Sequence, residues 1–138
     1  MTFFIIKPDA VGVGLTDDIV NRIEYAGLAV RALYRWTYTR SEARDHYRDH
    51  AGQDYFEPMV EFLASGSSWV GFASQRIPCP NDISVIEILR KLVGTYADPA
   101  EGTIRGDYRK NRTFENLIHS SDSPEAAARE AAICGIKF

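Results

Sequence analysis

His119 closes a short apolar run and is followed at once by Ser120, Ser121, Asp122 and Ser123. A histidine at the end of a strand, next to the start of a helix, is rigidly held and faces a helix dipole that favours an approaching anion. Glu130 falls on the helix that Pro124 opens, and could turn back to hold the imidazole by a hydrogen bond. A carboxylate that fixes the tautomer leaves one ring nitrogen with its lone pair aimed outward, which makes the imidazole a nucleophile. Ser121 could orient Glu130 in turn. The competing reading is an exposed helix glutamate with an i, i+4 partner, beside a structural histidine.

A second group is cationic. Thr103-Ile104-Arg105-Gly106-Asp107 sets a guanidinium beside a glycine, and Arg90 ends the helix leading into that loop. Two arginines converging on a threonine hydroxyl form a phosphate clamp; the alternative is that Arg105 pins the loop by pairing with Asp107 or Asp98. Lys7 emerges from a buried run in Ile-Lys-Pro-Asp, either as a ligand at a strand end or as a lysine whose stem lies along the sheet edge. Tyr47, Tyr55 and Phe56 straddle the mouth of a helical pair and could stack on a flat ligand or simply fill the core. His46 and His50, four apart, have the spacing of a metal pair, but no third ligand clusters nearby and Arg48 and Asp49 read as solvated, so a zinc site is rejected.

These residues need a scaffold. Thr2 to Lys7 is apolar on both faces, as a central strand covered on two sides must be, and Pro8 ends it. A helix follows from Thr16 to Gly27, with Ile19, Val20 and Ile23 as its stripe. From Leu28 to Tyr38 residues alternate, placing Val30, Ala32, Tyr34, Trp36 and Tyr38 on one face and Arg31 and Arg35 on the other. Helices over Ser41 to about Asp49 and Tyr55 to about Ala64 make a hairpin. Ser68 to Ser74 is a strand, and Asp82 to Val93 a helix after a Pro-bounded turn containing Cys79. Gly94 to Asn116 is a long loop, of a length usually kept for function. Asn116 to His119 is a brief strand, and Ser123 caps the last helix, which reaches about Ala132. Strands separated by helices in this order predict a ferredoxin-like α/β sandwich. It has a four-stranded antiparallel sheet, helices on one face, an inserted helical hairpin and a long active-site loop.

Composition excludes several classes. The 138 residues are read as one domain, 1–138, with a single core. Sixteen Lys and Arg against 19 Asp and Glu leave a net charge of -3, so there is no global field for nucleic acid and any anion site must be local. Cys79 and Cys134 fit neither a zinc cluster nor a disulfide framework, and a reducing cytoplasm is the simplest setting. The N-terminal apolar run is too short for a signal peptide or a membrane span.

Taken together, Thr2-Phe3-Phe4-Ile5-Ile6-Lys7-Pro8-Asp9, His46-Tyr47, Gly102-Thr103-Ile104-Arg105-Gly106-Asp107 and Asn116-Leu117-Ile118-His119-Ser120-Ser121-Asp122-Ser123 resemble the nucleoside diphosphate kinase family, in order and over nearly the whole chain. The resemblance implies a ping-pong exchange in which a nucleoside triphosphate gives its γ-phosphate to His119 and a different diphosphate takes it. It implies that Lys7 and Asn116 contact the sugar hydroxyls, that Lys7 also stabilises the moving phosphate, and that Arg90, Thr95 and Arg105 hold the phosphates. Tyr47 would lie close to His119, and Tyr55 would stack on the base, which explains broad base specificity. Glu130 and Ser121 match the residues that orient the histidine. The family implies Mg²⁺ carried by the nucleotide phosphates without a protein cage, and a homo-oligomer, hexamer or tetramer. The chain departs from the family pattern in four places. The stretch from Arg90 to Gly102 is shorter by about two residues, Val13 replaces an arginine, Ser120 replaces a glycine, and one residue is added between Arg105 and Asn116.

Overall fold

A computed structural model describes residues 1–76, 82–108 and 115–137. Strand β1 (Thr2–Ile6) is buried at every position. Its alternation divides the interior: Phe3 and Ile5 enter one core, Phe4 and Ile6 the other. A strand with two apolar faces cannot lie at an edge of the sheet or on its surface, and β1 is accordingly central. It pairs antiparallel with β3 (Ser68–Gln75) on one side and with β4 (Ile118–Ser120) on the other. The edge strand β2 (Leu28–Trp36) completes the order β2-β3-β1-β4.

The expected four-stranded antiparallel sheet of ferredoxin-like type is therefore present. Helices α2 (Thr16–Tyr25) and α5 (Asp82–Val93) cover the Phe4 and Ile6 face, through Ile19, Ile23, Val85, Leu89 and Val93. The inserted hairpin, α3 (Arg40–His46) and α4 (Phe56–Leu63), together with α7 (Pro124–Ile133), forms a second layer on the opposite face, through Met59, Val60, Leu63, Ala127 and Ala131; helices thus cover both faces of the sheet and not one, because β1 is apolar on both. Thr39 and Glu42 close a capping box that starts α3. A single 3₁₀ turn (Arg48–His50) follows where the sequence pattern continued the helix to about Asp49.

Three local features differ from the sequence reading. Pro8 ends β1 but also opens a five-residue helix, α1 (Pro8–Gly12), because a proline at the first helical position gives up an N–H that would have no partner there. In β2 the pairing shifts between Val30 and Ala32. One extra residue at Arg31 reverses the alternation, so Leu28, Val30 and Leu33 pack on the α2–α5 side and Ala32 and Trp36 on the other, while Tyr34 is exposed. Within the stretch read as a loop, Ile104–Tyr108 form a short helix, α6, with Ile104 buried in the α2–α5 core. The turn containing Cys79 lies outside the described residues, as does part of the loop before Asn116.

Candidate active site

The sheet register decides which way His119 faces. His119 sits opposite Ile5 across the antiparallel β1–β4 pair, so both side chains share the face covered by α3, α4 and α7. A strained turn delivers it there. Leu117 has φ 76°, and the Ile118 N–H donates to Asn116 O at 2.9 Å across it. This is a γ-turn of the positive-φ kind, uncommon for a branched side chain. Two bonds from the other side of the site hold it: the Lys7 N–H donates to Leu117 O at 2.8 Å, and the Leu117 N–H donates to Asp9 Oδ2 at 3.1 Å. Burial raises the Asp9 carboxyl above its usual range despite the neighbouring Ala10 N–H and Lys7.

Glu130 reaches His119 from α7, whose start is fixed by Ser123 accepting the Ala126 N–H and by Pro124. Glu130 Oε2 lies 2.7 Å from His119 Nε2 and accepts the Ser121 hydroxyl at 2.6 Å. Burial alone would raise the Glu130 carboxyl, but His119, His46 and Ser121 outweigh it and hold the group down at about 2. An ionised carboxylate only accepts, so Nε2 must donate; in the neutral imidazole Nδ1 then carries the lone pair. Arg129 Nη2 stands 3.7 Å from the other Glu130 oxygen.

His46 packs edge-to-face on His119, with ring centroids 4.6 Å apart and planes at 82°. Burial and the facing His119 hold its pKa well below the usual histidine range, so the ring is neutral. Among the described residues His46, His119 and Glu130 are the one cluster of metal-ligand types, with ligand atoms within 4.8 Å of one another. Glu130 Oε2 already accepts two hydrogen bonds, one of them from His119 Nε2, which takes that nitrogen out of service as a ligand. The arrangement suits an oriented imidazole better than a shared ion. His50, the other member of the pair considered from sequence, instead bonds Tyr55: its Nδ1 lies 3.0 Å from the Tyr55 hydroxyl.

The cationic residues gather beyond His119. Lys7 is 4% exposed and donates to Asn116 Oδ1 at 2.8 Å. Burial and the Arg105 charge lower its pKa to about 7, against the opposing pull of Asp9. Arg105 donates to three main-chain carbonyls: Asn116 at 3.2 Å, Gly94 at 3.2 Å and Ile118 at 2.8 Å. It therefore ties α6 to the end of α5 and to the strand carrying His119. Asp107 pairs instead with Arg22, at 2.7 Å. Gly106 is required by the tight turn back to the loop, because a Cβ there would meet Ala100 O at 1.9 Å.

A cleft of about 1170 Å³ opens over this constellation. Arg90, Thr95, Arg105, Tyr47, His119 and Glu130 all line it. Lys7 and Asn116 stand behind Arg105, Ser121 stands behind Glu130, and Tyr55 lies at the rim beside His50, 45% exposed. The Tyr47 hydroxyl is buried with no hydrogen-bond partner among the described residues, and burial pushes its pKa up. Sequence reasoning missed Arg129, which also lines the cleft, and the service of Asp9 to the Leu117 turn. Arg129 has ordinary helical surface spacing, and nothing in the chain marks the Asp9 contact, which spans more than a hundred residues.

Comparison with known proteins places this arrangement in context. A family model described as nucleoside diphosphate kinase matches residues 1–134. A nucleoside diphosphate kinase of Methanosarcina acetivorans is 37% identical over 134 residues, covering 96% of this chain and 85% of that protein. One of Streptococcus pneumoniae is 40% identical over 140 residues, covering 96% of each. Among solved structures, the apo nucleoside diphosphate kinase of Encephalitozoon cuniculi superposes with a TM-score of 0.85 at 32% identity, covering 96% of this chain and 86% of that one.

Proposed function

The chain belongs to the nucleoside diphosphate kinase family and transfers phosphate between nucleotides, and from that premise we propose that His119 carries the phosphoryl group. The observation that supports this reading is the Glu130 and Ser121 pair at His119 Nε2, which leaves Nδ1 as the nucleophilic nitrogen at the wall of a cleft that Arg90, Arg105 and Arg129 also line. In the first half-reaction Nδ1 forms a bond to the γ-phosphorus of a nucleoside triphosphate. The bond from that phosphorus to the bridging oxygen breaks, and the nucleoside diphosphate leaves with the electron pair. Glu130 stabilises the positive charge that develops on the imidazole. A second diphosphate then attacks the phosphohistidine and reverses these steps.

Arg90, Thr95 and Arg105 hold the phosphates in this proposal. Lys7 meets the transferring group and, with Asn116, the sugar hydroxyls, Tyr47 stands beside His119, and Tyr55 offers its ring to the base. Little covalent chemistry falls to the protein beyond the nucleophile, so positioning and charge neutralisation provide most of the rate. Base specificity is broad, because every base presents a π-face to a stacking ring.

The family generally uses a divalent cation, and we assign Mg²⁺. The residues fit an ion that arrives on the phosphates: the ligand cluster among the described residues is rich in imidazole, which suits a hard cation poorly, whereas Mg²⁺ binds phosphate oxygens with few protein ligands. When bound it neutralises phosphate charge. No helix among the described residues is long and apolar enough to cross a membrane, and we assign the cytoplasm. The same reading makes residues 1–138 one domain and the protein a homo-oligomer, hexamer or tetramer.

The test is incubation with γ-labelled ATP and Mg²⁺. Acid-labile, base-stable label is expected on His119, discharged by GDP into GTP. His119→Gln is expected to remain unlabelled while still binding ADP. Label elsewhere, or exchange by His119→Gln near the parent rate, would overturn the mechanism.

A further inference from the structure

Arg105 sits on α6, a helix of five residues. One helical turn does not hold itself together in water, because nucleation costs more than so few hydrogen bonds return. Something outside α6 must keep it in place. Part of that support is local: Thr103 Oγ1 accepts the Gly106 N–H at 3.0 Å and donates to Ala100 O at 2.6 Å. Ile104 is buried in the core and Arg105 itself bonds three main-chain carbonyls, and a further support comes from α2, across eighty residues of sequence.

Arg22 projects from α2 between Ile19 and Ile23, which are fully buried and fix that helix to the sheet. Its Nη1 lies 2.7 Å from Asp107 Oδ2 and 3.4 Å from Gly102 O, and its guanidinium lies 4.7 Å from the Tyr108 ring centroid. The other Asp107 oxygen accepts the Gly102 N–H at 2.8 Å. One guanidinium thus engages the residue before Thr103 and the last two residues of α6, bracketing Arg105 on both sides. Both members of the ion pair are partly shielded, with side-chain exposures of 30% and 23%, and the flat guanidinium can pair and stack at once, which a lysine cannot do. Arg22 is not among the residues lining the cleft.

We propose that Arg22 is a positioning residue for nucleotide phosphates: it carries the rigidity of α2 to α6 and so fixes the Arg105 guanidinium at the phosphate end of the cleft. The proposal rests on the reading of Arg105 as a phosphate ligand. A strut that merely stabilised the fold would lower the melting temperature without acting through Arg105, so the test is a double-mutant cycle on ADP affinity, measured by calorimetry. Arg22→Ala is expected to weaken ADP binding about tenfold in the parent chain, since small misplacements of a phosphate ligand are costly. In an Arg105→Ala background the same change is expected to have no further effect. Arg22→Lys, which keeps the charge but not the fork or the stacking, should fall between parent and Arg22→Ala. If Arg22→Ala does not fold, Tyr108→Leu, which removes the stacking surface alone, takes its place in the cycle with the same expectation. Unchanged ADP affinity on replacing Arg22, or losses that simply add to that of Arg105→Ala, would overturn the proposal. ADP affinity unaffected by Arg105→Ala alone would instead overturn the reading of Arg105 and this proposal with it.

Discussion

Replacing Glu130 with glutamine tests the centre of the mechanism with almost no change in shape. Oε2 of Glu130 receives two short hydrogen bonds, at 2.7 Å from His119 and 2.6 Å from Ser121. Both are charge-assisted in the parent and neutral in the variant. A charge-assisted bond contributes about 1.5 to 3 kcal/mol and a neutral one about 1. The bond that matters for the rate is the one to His119, because positive charge grows on that ring as Nδ1 bonds phosphorus. Its weakening by about 0.5 to 2 kcal/mol corresponds to a roughly 2- to 30-fold slower phosphorylation. The assay is single-turnover labelling by γ-labelled ATP in a quenched-flow instrument, with ADP affinity measured in parallel. Because the parent carboxyl is held down at about 2, it is ionised from pH 5 upward, and the defect should be the same at every pH above that. Stability gives an independent check. A carboxyl lowered from 4.5 to about 2 stabilises the fold fully above the unfolded value and loses that contribution as pH falls from 4.5 through about 2. The parent should therefore lose stability relative to Glu130→Gln over that acid window. Phosphorylation at the parent rate, or a defect confined to ADP binding, would refute the argument.

Two further outcomes follow from the same geometry. With its pKa lowered to about 7, Lys7 is mostly neutral in the free protein at pH 8, and phosphate should draw a proton back onto it. Calorimetry in buffers of differing ionisation enthalpy should show uptake approaching roughly one proton on ADP binding at pH 8 and little at pH 5.5, and Lys7→Met should abolish the uptake; equal uptake by parent and variant would contradict it. Tyr55→Ala should weaken ADP, GDP and CDP alike, by about 1 to 3 kcal/mol for the lost stacking, and a loss limited to one base would argue against broad specificity.

Much of the fold was legible because the interior imposes a strict pattern on the chain. Phe3 to Ile6 must be covered on two sides whatever follows, and the stripes at Ile19 and Ile23, at Met59, Val60 and Leu63, and at Val85 and Leu89 can only be helix faces. Pattern fails where one residue changes the phase or where a segment is too short to show a period. The bulge in β2 reverses the facing of Val30 without altering any residue type, and the five residues of α6 take their order from contacts with α2 and the loop, not from their own propensity.

For the site, the sequence by itself determined the reacting types: a histidine at a strand end, a glutamate one helix later, arginines around a glycine, and a lysine after a buried strand. Only the tertiary structure decided which alternative each residue took. Glu130 turns inward because α7 packs on the face that the β1–β4 register gives to His119. Asp107 leaves Arg105 for Arg22 because α2 lies alongside α6. His46 and His50, neighbours on the chain, part company because the helix ends at His46: one meets His119 in the core and the other meets Tyr55 at the rim. The physical reason is the same in each case. Residue type and spacing fix what a side chain can do, whereas partner, burial and charge state depend on contacts tens of residues away in sequence, which exist only once the sheet has closed.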